Sequence, residues 1–281
     1  MKNSDFMKKM NSYDILGSKE KSVAIIEETD SQKEVAEEIM KEHKNVKSVL
    51  MKLSERKGIQ RKREFKFILG DPNTEVIHKE NYCRLKLDPQ KVYFSGREGT
   101  ERLRIAELIK PKETVLIMFA GIGPFSILIA KKQHAVNKIP SIEINPDAIE
   151  YMKENIRLNK VQDKVIPIIG DVMEKTEEWF NKCDRVVMPL PHDAREYLEL
   201  AYKCLKLEGG VIHLYIIESE NEVEKNVEEL MKNFQEKIKR KISCKTKKVL
   251  SYSPRTYKYC VDIQINEGKL NSTKSKTQET E

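Results

Sequence analysis

The chain has 281 residues, with 52 Lys and Arg against 45 Asp and Glu, so its formal net charge is +7. This length accommodates one large or two ordinary domains, and the 39% apolar and 35% charged residues exclude a fibrous or wholly disordered chain. Because no apolar run approaches the ~20 residues of a membrane helix and the first ten residues lack a secretory apolar core, we expect a cytoplasmic protein without membrane contact.

The first ninety residues predict a small α+β domain. Its first twenty or so residues are polar and are expected to be loosely ordered. Beyond them, alternating apolar and polar residues predict short strands, and one amphipathic stretch predicts a helix. The strands cover 23–27, 46–53, 64–69, 75–78 and 83–87, and the helix covers 32–42. A second helix, over 100–109, is closed by Pro111.

Strands and helices alternate from Glu113 onward. Apolar runs predict strands over 114–120, 141–145, 164–171, 184–190 and 211–219, and helices over 127–132, 146–159, 192–206 and 223–241, with a short helix at Trp179. This alternation is typical of an α/β fold with a parallel sheet covered by helices on both faces. Two antiparallel strands, 247–253 and 258–265, follow, and the polar residues after Asn266 are expected to be unstructured.

Four features follow successive strands of this sheet, at the edge where such folds bind ligands. The first is the glycine turn 119–124, whose backbone and helix-start amides suit a carboxylate or phosphate. The second is Glu143, spaced to bind both hydroxyls of a ribose, and the third is Asp171, placed to meet an adenine amine. The fourth is the MPLP segment 188–191.

Two classes of cofactor share the glycine turn and the ribose acid. A nicotinamide dinucleotide needs a third glycine in the turn, and Ser126 occupies its place. S-adenosylmethionine needs a carboxylate pocket, a ribose acid and an adenine acceptor, so the combined set favours it. Taken singly, Glu143 and Asp171 would be interpreted as ordinary strand-end acids or helix caps.

Several motifs in the same order resemble the archaeal and eukaryotic tRNA (guanine37-N1)-methyltransferase family. They are SYDILG, TEVIHKENYCRLKLD, KVYFSGREGTERLRI, FAGIGPFSI, IEINPDAIEYMKENIRLNK, VIPIIGDV, GGVIHLY and SYSPRTY. The resemblance implies a Rossmann-like class I methyltransferase domain over 91–265 that uses S-adenosylmethionine. It also implies a smaller N-terminal α+β RNA-binding domain over 12–90, and we expect a flexible 1–11, a disordered tail over 266–281 and a monomer.

The resemblance implies methylation of N1 of guanosine 37, which requires removal of a proton and stabilisation of charge on O6. Arg61 matches the family's arginine at O6, and Glu101 matches its proposed general base. The family positions that line the cofactor are matched by Tyr93, Arg97, Phe119, Glu143, Ile144, Asp171 and Pro191, to which the turn adds Gly121 and Gly123. Without the resemblance, Arg61 would be interpreted as a phosphate contact and Glu101 as an acid in the first turn of a helix. Tyr93 and Phe119 would equally be interpreted as core aromatics.

Three departures from the family pattern concern the site. Ile117 stands where the family often has an acid, which puts the contact to the methionyl ammonium in doubt. FSGR replaces the more usual FSPR. Pro189 stands where related enzymes carry Asn or Asp, whose side chain can bind the target's exocyclic amine; proline offers neither a side-chain amide nor a backbone N–H.

The loss of that amide has a chemical interpretation. In wyosine-type bases the exocyclic nitrogen is part of a third ring, and one archaeal branch of the family carries the same PLP segment. Its members include enzymes that methylate C7 of 4-demethylwyosine to give isowyosine, some also acting on guanine N1. We therefore hypothesise a bifunctional or C7-directed enzyme with guanosine 37 N1 methylation as the core activity. The alternatives are an aminocarboxypropyl transferase acting on 4-demethylwyosine and a non-catalytic tRNA-binding relative.

Basic stretches over 41–66 and 237–248 suggest phosphate contacts, with a solvated lysine face as the alternative. Five widely spaced cysteines without a CxxC pair predict neither a metal site nor disulfides. Longer archaeal relatives carry a further domain before SYDILG, and only eleven residues precede Ser12 here. We accordingly expect recognition confined to the anticodon stem-loop, with the base at position 37 flipped out.

Overall fold

The computed structural model describes residues 13–53, 64–191 and 194–269. The chain divides into two compact units, Met1–Lys175 and Thr176–Glu281. Among the described residues, no helix combines the length and the apolar character that crossing a membrane requires.

A four-stranded sheet opens the first unit. Its strands, in spatial order, are β1 (Asp14–Gly17), β2 (Ser22–Ile26), β3 (Val46–Lys52) and β4 (Phe65–Gly70). Strands β2 and β3 are parallel and are joined by helix α1 (Gln32–Glu42), whereas the outer pairs are antiparallel. Strand β1 corrects the expectation of loose order for residues 14–17, whereas the expected flexible stretch 1–11 lies outside the described residues. Strand β1 forms because Leu16 is buried and the backbone pairs in register with β2.

The rest of the first unit holds a hairpin and a run of alternating strands and helices. Its elements are β5 (Val76–Glu80), β6 (Cys83–Leu87), a 3-10 turn (Gly96–Glu98), α2 (Gly99–Leu108), β7 (Val115–Met118), α3 (Pro124–Lys132), β8 (Ile139–Glu143), α4 (Pro146–Asn159), β9 (Val165–Ile169) and α5 (Val172–Lys175). Strands β7, β8 and β9 are parallel neighbours in that order. All four residues of β7 are buried, as expected of a parallel strand.

Two buried asparagines tie helix α4 to strand β6. Asn155 accepts from the Lys86 N–H (2.6 Å) and donates to the carbonyls of Lys86 (3.0 Å) and Ile122 (3.2 Å). Asn159 accepts from the Arg84 N–H (3.0 Å) and donates to its carbonyl (2.6 Å). Because the two asparagines are four residues apart, their side-chain amides lie on one face of the helix. They bind the backbone N–H and C=O groups of β6 as a neighbouring strand would. Through Ile122, Asn155 also holds the glycine turn.

The second unit contains a four-stranded arrangement in the order β12-β13-β11-β10. Its elements are a 3-10 turn (Glu177–Trp179), β10 (Arg185–Met188), a 3-10 turn (Ala194–Tyr197), α6 (Leu198–Cys204), β11 (Gly210–Ser219), α7 (Val223–Ile238), β12 (Arg240–Ser253) and β13 (Thr256–Lys269). Strands β10 and β11 are parallel, and β13 is antiparallel to both β11 and β12. The predicted α/β class is thus present in both units as parallel strands joined by helices.

Several boundaries in this unit differ from the sequence prediction. Helix α7 ends at Ile238 instead of 241, because Lys239 adopts a left-handed conformation (φ 54°) that closes the helix. Strand β12 then begins at Arg240, well before the predicted 247, because β13 provides a partner along that whole length. Strand β13 in turn continues to Lys269, past the predicted end at residue 265, so residues 266–269 correct the expectation of a disordered tail over 266–281; residues 270–281 lie outside the described chain.

A hydrogen-bonded chain of polar side chains crosses the interior of the second unit. The Arg185 guanidinium lies 2.7 Å from His213 Nε2, and His213 Nδ1 lies 2.6 Å from Asp262 Oδ1. The Cys260 thiol donates to the same carboxylate oxygen at 3.2 Å. His213, Cys260 and Asp262 are close enough to hold a metal ion, but a buried guanidinium beside the ring opposes a second cation. The geometry is that of a structural hydrogen-bond chain.

Replacing His213 by Leu is expected to lower the free energy of unfolding by about 3 kcal/mol. The substitution removes the ring between Arg185, which is 4% exposed, and Asp262, so a buried charge loses a partner. Urea unfolding followed by circular dichroism measures the change. His134→Leu, at an exposed position, is the matched control, and an equal loss in both variants would contradict the prediction.

Candidate functional site

The glycine turn after β7 uses its two glycines in different ways. Phe119 (φ 57°), Gly121 (φ 57°) and Gly123 (φ 83°) all adopt left-handed backbone conformations. A Cβ on Gly121 would meet only the Tyr93 carbonyl, at 3.9 Å, so this backbone faces open space. A Cβ on Gly123 would lie 2.8 Å from Met152 Cγ. Gly121 therefore leaves room for a ligand to approach the backbone, whereas Gly123 permits the turn to pack on helix α4.

Glu143, at the end of β8, is held by backbone donors on both oxygens. The Gly121 N–H donates to Oε2 at 2.7 Å, and the Asn145 N–H donates to Oε1 at 2.8 Å. Burial raises the pKa of the Glu143 carboxyl above its usual range, and these backbone hydrogen bonds only partly offset that shift. Its neighbour Ile144 is half-buried. The carboxylate is thus fixed beside the open backbone of the glycine turn.

Asp171 follows β9 and starts helix α5. Its Oδ1 accepts from the Met173 N–H at 2.8 Å, and its carbonyl accepts from Glu174 and Lys175. The helix-cap interpretation therefore describes its local contacts, and its role toward an adenine stays a prediction. The Gly170 N–H donates to the Glu143 carbonyl at 3.0 Å, which brings the ends of β8 and β9 together.

The segment before helix α2 carries two further predicted residues. Tyr93 is 36% exposed, and its hydroxyl donates to Glu98 at 3.4 Å. Arg97 is exposed on the 3-10 turn. Since the Tyr93 carbonyl lies next to Gly121, this segment borders the glycine turn.

A buried ion pair that the sequence prediction missed anchors this segment. Arg102, 2% exposed, donates from Nε and Nη2 to the two carboxylate oxygens of Glu80, both at 2.7 Å, and from Nη2 to the Ser95 carbonyl at 2.9 Å. Its guanidinium also lies 5.0 Å from the Phe94 ring centroid. Burial of Glu80 would raise its pKa, but the hydrogen bonds from His78 and Arg102 outweigh it and hold the pKa below the usual range.

Glu101, the predicted general base, is 5% exposed and paired with an arginine on its own helix. Arg104 donates from Nε to Oε2 at 2.8 Å and from Nη2 to Oε1 at 2.6 Å. This fork fixes the orientation of the Glu101 side chain. Each carboxylate oxygen has two lone pairs, so an oxygen that accepts from Arg104 can also accept a substrate proton. The i,i+3 spacing of the two residues was a signal in the sequence that the prediction did not use.

Pro189 and Pro191 belong to the second unit, where both follow β10 and are half-buried. Ile117 is fully buried in β7. Arg61 lies outside the described residues. Within the first unit, Phe119, Gly121, Glu143 and Asp171 follow the ends of β7, β8 and β9, and Tyr93 borders the glycine turn. Arg97, on the 3-10 turn, and Glu101, on helix α2, stand outside this group of strand ends, and the proline segment follows β10 in the second unit.

Comparison with known proteins agrees with the family resemblance of the sequence. The family model for the TRM5/TYW2 methyltransferase domain matches residues 76–245. The chain is 43% identical over 260 residues to Pyrococcus abyssi tRNA (guanine(37)-N(1))-methyltransferase Trm5b, covering 91% of this chain and 75% of that protein. It is 31% identical over 271 residues to the Nanoarchaeum equitans tRNA (guanine(37)-N(1))/4-demethylwyosine(37)-methyltransferase Taw22, with 78% and 88% covered. It is 35% identical over 244 residues to a Methanocaldococcus jannaschii tRNA(Phe) (4-demethylwyosine(37)-C(7)) aminocarboxypropyltransferase, with 86% and 95% covered.

Solved structures show the same architecture. Trm5b from Pyrococcus abyssi has a TM-score of 0.81 at 40% identity, covering 93% of this chain and 78% of that one. The complex of aTrm5 and tRNALeu has a TM-score of 0.78 at 36% identity, covering 94% of this chain and 75% of that one. M. jannaschii TYW2 in complex with AdoMet has a TM-score of 0.71 at 29% identity, covering 92% of this chain and 100% of that one. The predicted α/β, Rossmann-like class I fold is confirmed.

Proposed function

Because the chain belongs to the TRM5/TYW2 methyltransferase family, we propose that it transfers a methyl group from S-adenosylmethionine to N1 of guanosine 37 in tRNA. The observation that carries the proposal is 43% identity to a Trm5b enzyme over 91% of the chain. The relatives include a complex with tRNALeu and one with AdoMet, which supports the same substrate and cofactor here.

The glycine turn and Glu143 fit S-adenosylmethionine, which supplies an electrophilic methyl group when bound. Glu143 would accept hydrogen bonds from the ribose hydroxyls, and the open backbone at Gly121 would allow close approach. Asp171 would accept from the adenine amine. Ile117, fully buried and apolar, offers no carboxylate to the methionyl ammonium, so that group requires another acceptor.

Proton removal from guanine N1 is assigned to Glu101, whose position on helix α2 is fixed by Arg104. Stabilisation of charge on O6 is assigned to Arg61, as the family resemblance implies. The target base would be flipped out of the anticodon loop to reach these groups.

Product analysis by mass spectrometry tests the function. Purified protein and S-adenosylmethionine are incubated separately with a tRNA carrying guanosine 37 and with one carrying 4-demethylwyosine at that position. We expect 1-methylguanosine from the first. An added aminocarboxypropyl group on the second would favour the transferase alternative, and unmeasurable S-adenosylmethionine binding by calorimetry would favour a non-catalytic tRNA-binding relative.

We further propose methylation of C7 of 4-demethylwyosine, giving isowyosine. Two observations support this extension: the 31% identity to a bifunctional Taw22, and Pro189, which cannot bind an exocyclic amine with its side chain. The tricyclic base presents no such amine, so an apolar neighbour suits it.

Replacing Pro189 by Asn is expected to shift the enzyme toward guanosine. The introduced amide can bind the guanine exocyclic amine, a contact worth about 1 kcal/mol, so the ratio of N1 to C7 product should rise about fivefold. Both products are quantified by mass spectrometry under single-turnover conditions. Leu207→Asn, at an exposed position of the same unit, is the control, and an unchanged ratio in Pro189→Asn would count against the C7 proposal.

Strand β12 offers a surface for the tRNA backbone. Lys241, Lys245 and Lys247 are exposed along this edge strand, whereas Lys237 and Lys248 pair with nearby glutamates. Their spacing along one strand, about 3.4 Å per residue, is compatible with successive phosphates.

Changing these three lysines to Gln is expected to weaken tRNA binding and to reduce its salt dependence. Each lost phosphate contact lowers the slope of log K against log salt by about 0.7 to 0.9. Filter binding at several salt concentrations measures this, with the exposed Lys203, Lys225 and Lys232 changed to Gln as the control. Lysines on edge strands also prevent aggregation; aggregation with an unchanged slope would assign them that role instead.

A further inference from the structure

Lys258 is a buried lysine at the ligand-binding end of the second unit. It is 4% exposed and pairs with Ile217, near the carboxyl end of β11. Tyr215 pairs with Cys260, two residues further along β13, so Lys258 and Tyr215 are diagonal neighbours across the strand pair. The Lys258 ammonium lies 4.7 Å from the Tyr215 ring centroid.

The same ammonium reaches the segment that follows β10. Lys258 Nζ donates to the Pro189 carbonyl at 3.4 Å. A buried ammonium needs acceptors to offset its lost hydration, and a carbonyl together with an aromatic face provides part of that compensation. The contact joins β13 to a segment sixty-nine residues earlier in the chain.

The composition of this segment explains why an external donor matters. Pro189 and Pro191 have no backbone N–H, so Leu190 is the only residue of the three that can donate a backbone hydrogen bond. With a single backbone donor among its three residues, this segment has few hydrogen bonds of its own with which to fix its conformation. Lys258 supplies a charged donor from a regular strand, which is a more rigid support than a loop.

We propose that Lys258 is a positioning residue for methyl transfer: by holding the Pro189 carbonyl it fixes Pro189 beside the target base. This rests on the proposed function, which is what places the base next to Pro189. Small displacements of groups that orient a substrate reduce the rate of the chemical step more than they reduce binding. Lys258 should therefore affect kcat and leave the affinity for S-adenosylmethionine nearly unchanged.

The kinetic test compares Lys258→Met, Lys258→Arg and Lys203→Met. Lys203 lies over the Phe180 ring at 6.0 Å on the exposed surface of the same unit, so it is a matched control. We expect Lys258→Met to lower the single-turnover rate about tenfold, the equivalent of one lost charged hydrogen bond. Lys258→Arg should restore most of it, and the cofactor Kd should change by less than about twofold in each. A Lys258→Met rate equal to wild type, or no rescue by Arg, would overturn the proposal.

The NMR chemical shift of the Leu190 amide tests the same idea without requiring activity, because this N–H belongs to the same peptide group as the Pro189 carbonyl that Lys258 contacts. The shift should change in Lys258→Met and stay unchanged in Lys203→Met. If Lys258→Met does not fold, Lys258→Gln, whose side chain is too short to reach Pro189, replaces it with the same expectations. An unchanged Leu190 shift would refute the positioning role, whereas a wild-type protein that methylates neither tRNA would refute the proposed function and leave the chemical-shift result intact.

Discussion

Replacing Glu143 by Gln is expected to weaken S-adenosylmethionine binding about 100-fold. A carboxylate that accepts two ribose hydroxyls makes two charge-assisted hydrogen bonds, each worth about 1.5 to 3 kcal/mol. The amide also presents an NH2 to either the Gly121 or the Asn145 N–H, because both now donate to the carboxylate. Isothermal titration calorimetry measures the affinity, and thermal unfolding without the cofactor separates lost binding from lost stability.

Glu150→Gln provides the matched control for Glu143. Glu150 is exposed on helix α4 and pairs with Lys153 at 2.7 Å, so its loss should leave the affinity within about twofold, since surface pairs contribute little. Affinity retained in Glu143→Gln would remove Glu143 from the cofactor site.

The raised pKa of Glu143 gives this prediction a pH dependence. The deprotonated Glu143 carboxylate accepts hydrogen bonds from both ribose hydroxyls. The affinity for S-adenosylmethionine should therefore fall as the pH is lowered through the Glu143 pKa. Because burial raises that pKa, the fall should begin at a higher pH than for an ordinary glutamate, whose pKa is about 4.3. In the absence of cofactor the sign is opposite: the folded state binds the proton more tightly, so this group's contribution to stability decreases as the pH rises. The Glu143→Gln variant should lose both the pH dependence of S-adenosylmethionine affinity and this group's pH dependence of stability.

Replacing Glu101 by Gln is expected to reduce the rate of methyl transfer to guanosine about 100- to 10,000-fold, the usual contribution of a general base. The amide cannot take the N1 proton, although it can still accept from Arg104. Rates are measured in single turnover with saturating S-adenosylmethionine, so that altered cofactor affinity does not enter.

Glu107→Gln on the same helix is the control for Glu101. Glu107 is exposed and lies 3.4 Å from Lys132, and its substitution should leave the rate within about twofold. A Glu101→Gln enzyme as fast as wild type would exclude Glu101 as the base, and its pairing with Arg104 would then be purely structural.

Much of the architecture follows from local signals in the sequence. Helices α1 and α4 have the predicted bounds. The start signal of α4 is local: Pro146 begins the helix, and Asn145 accepts from the Asp147 N–H at 3.1 Å as its cap. The glycine turn and the strand-end acids also stand where the alternation of elements put them. Domain boundaries at 90 and 265, a monomeric state, the lack of a metal and a cytoplasmic location stay predictions.

The extent of strands β1 and β12 could not be inferred from the residues alone. Strand β12 is largely polar, with exposed residues along most of its length. A polar strand shows little hydrophobic alternation, and pairing with β13 provides its hydrogen bonds. Strand β1 is only four residues long and depends on β2 in the same way.

By itself the sequence determined the class of fold, the positions of the ligand-binding strand ends and the resemblance that identifies the family. Only the tertiary structure showed that Arg102 is buried against Glu80 and that Lys258 reaches Pro189. The physical reason is that periodicity reports which face of an element is buried, and this is a local property. Contacts between side chains far apart in the chain depend on strand register and on packing, which are fixed only when the whole unit folds.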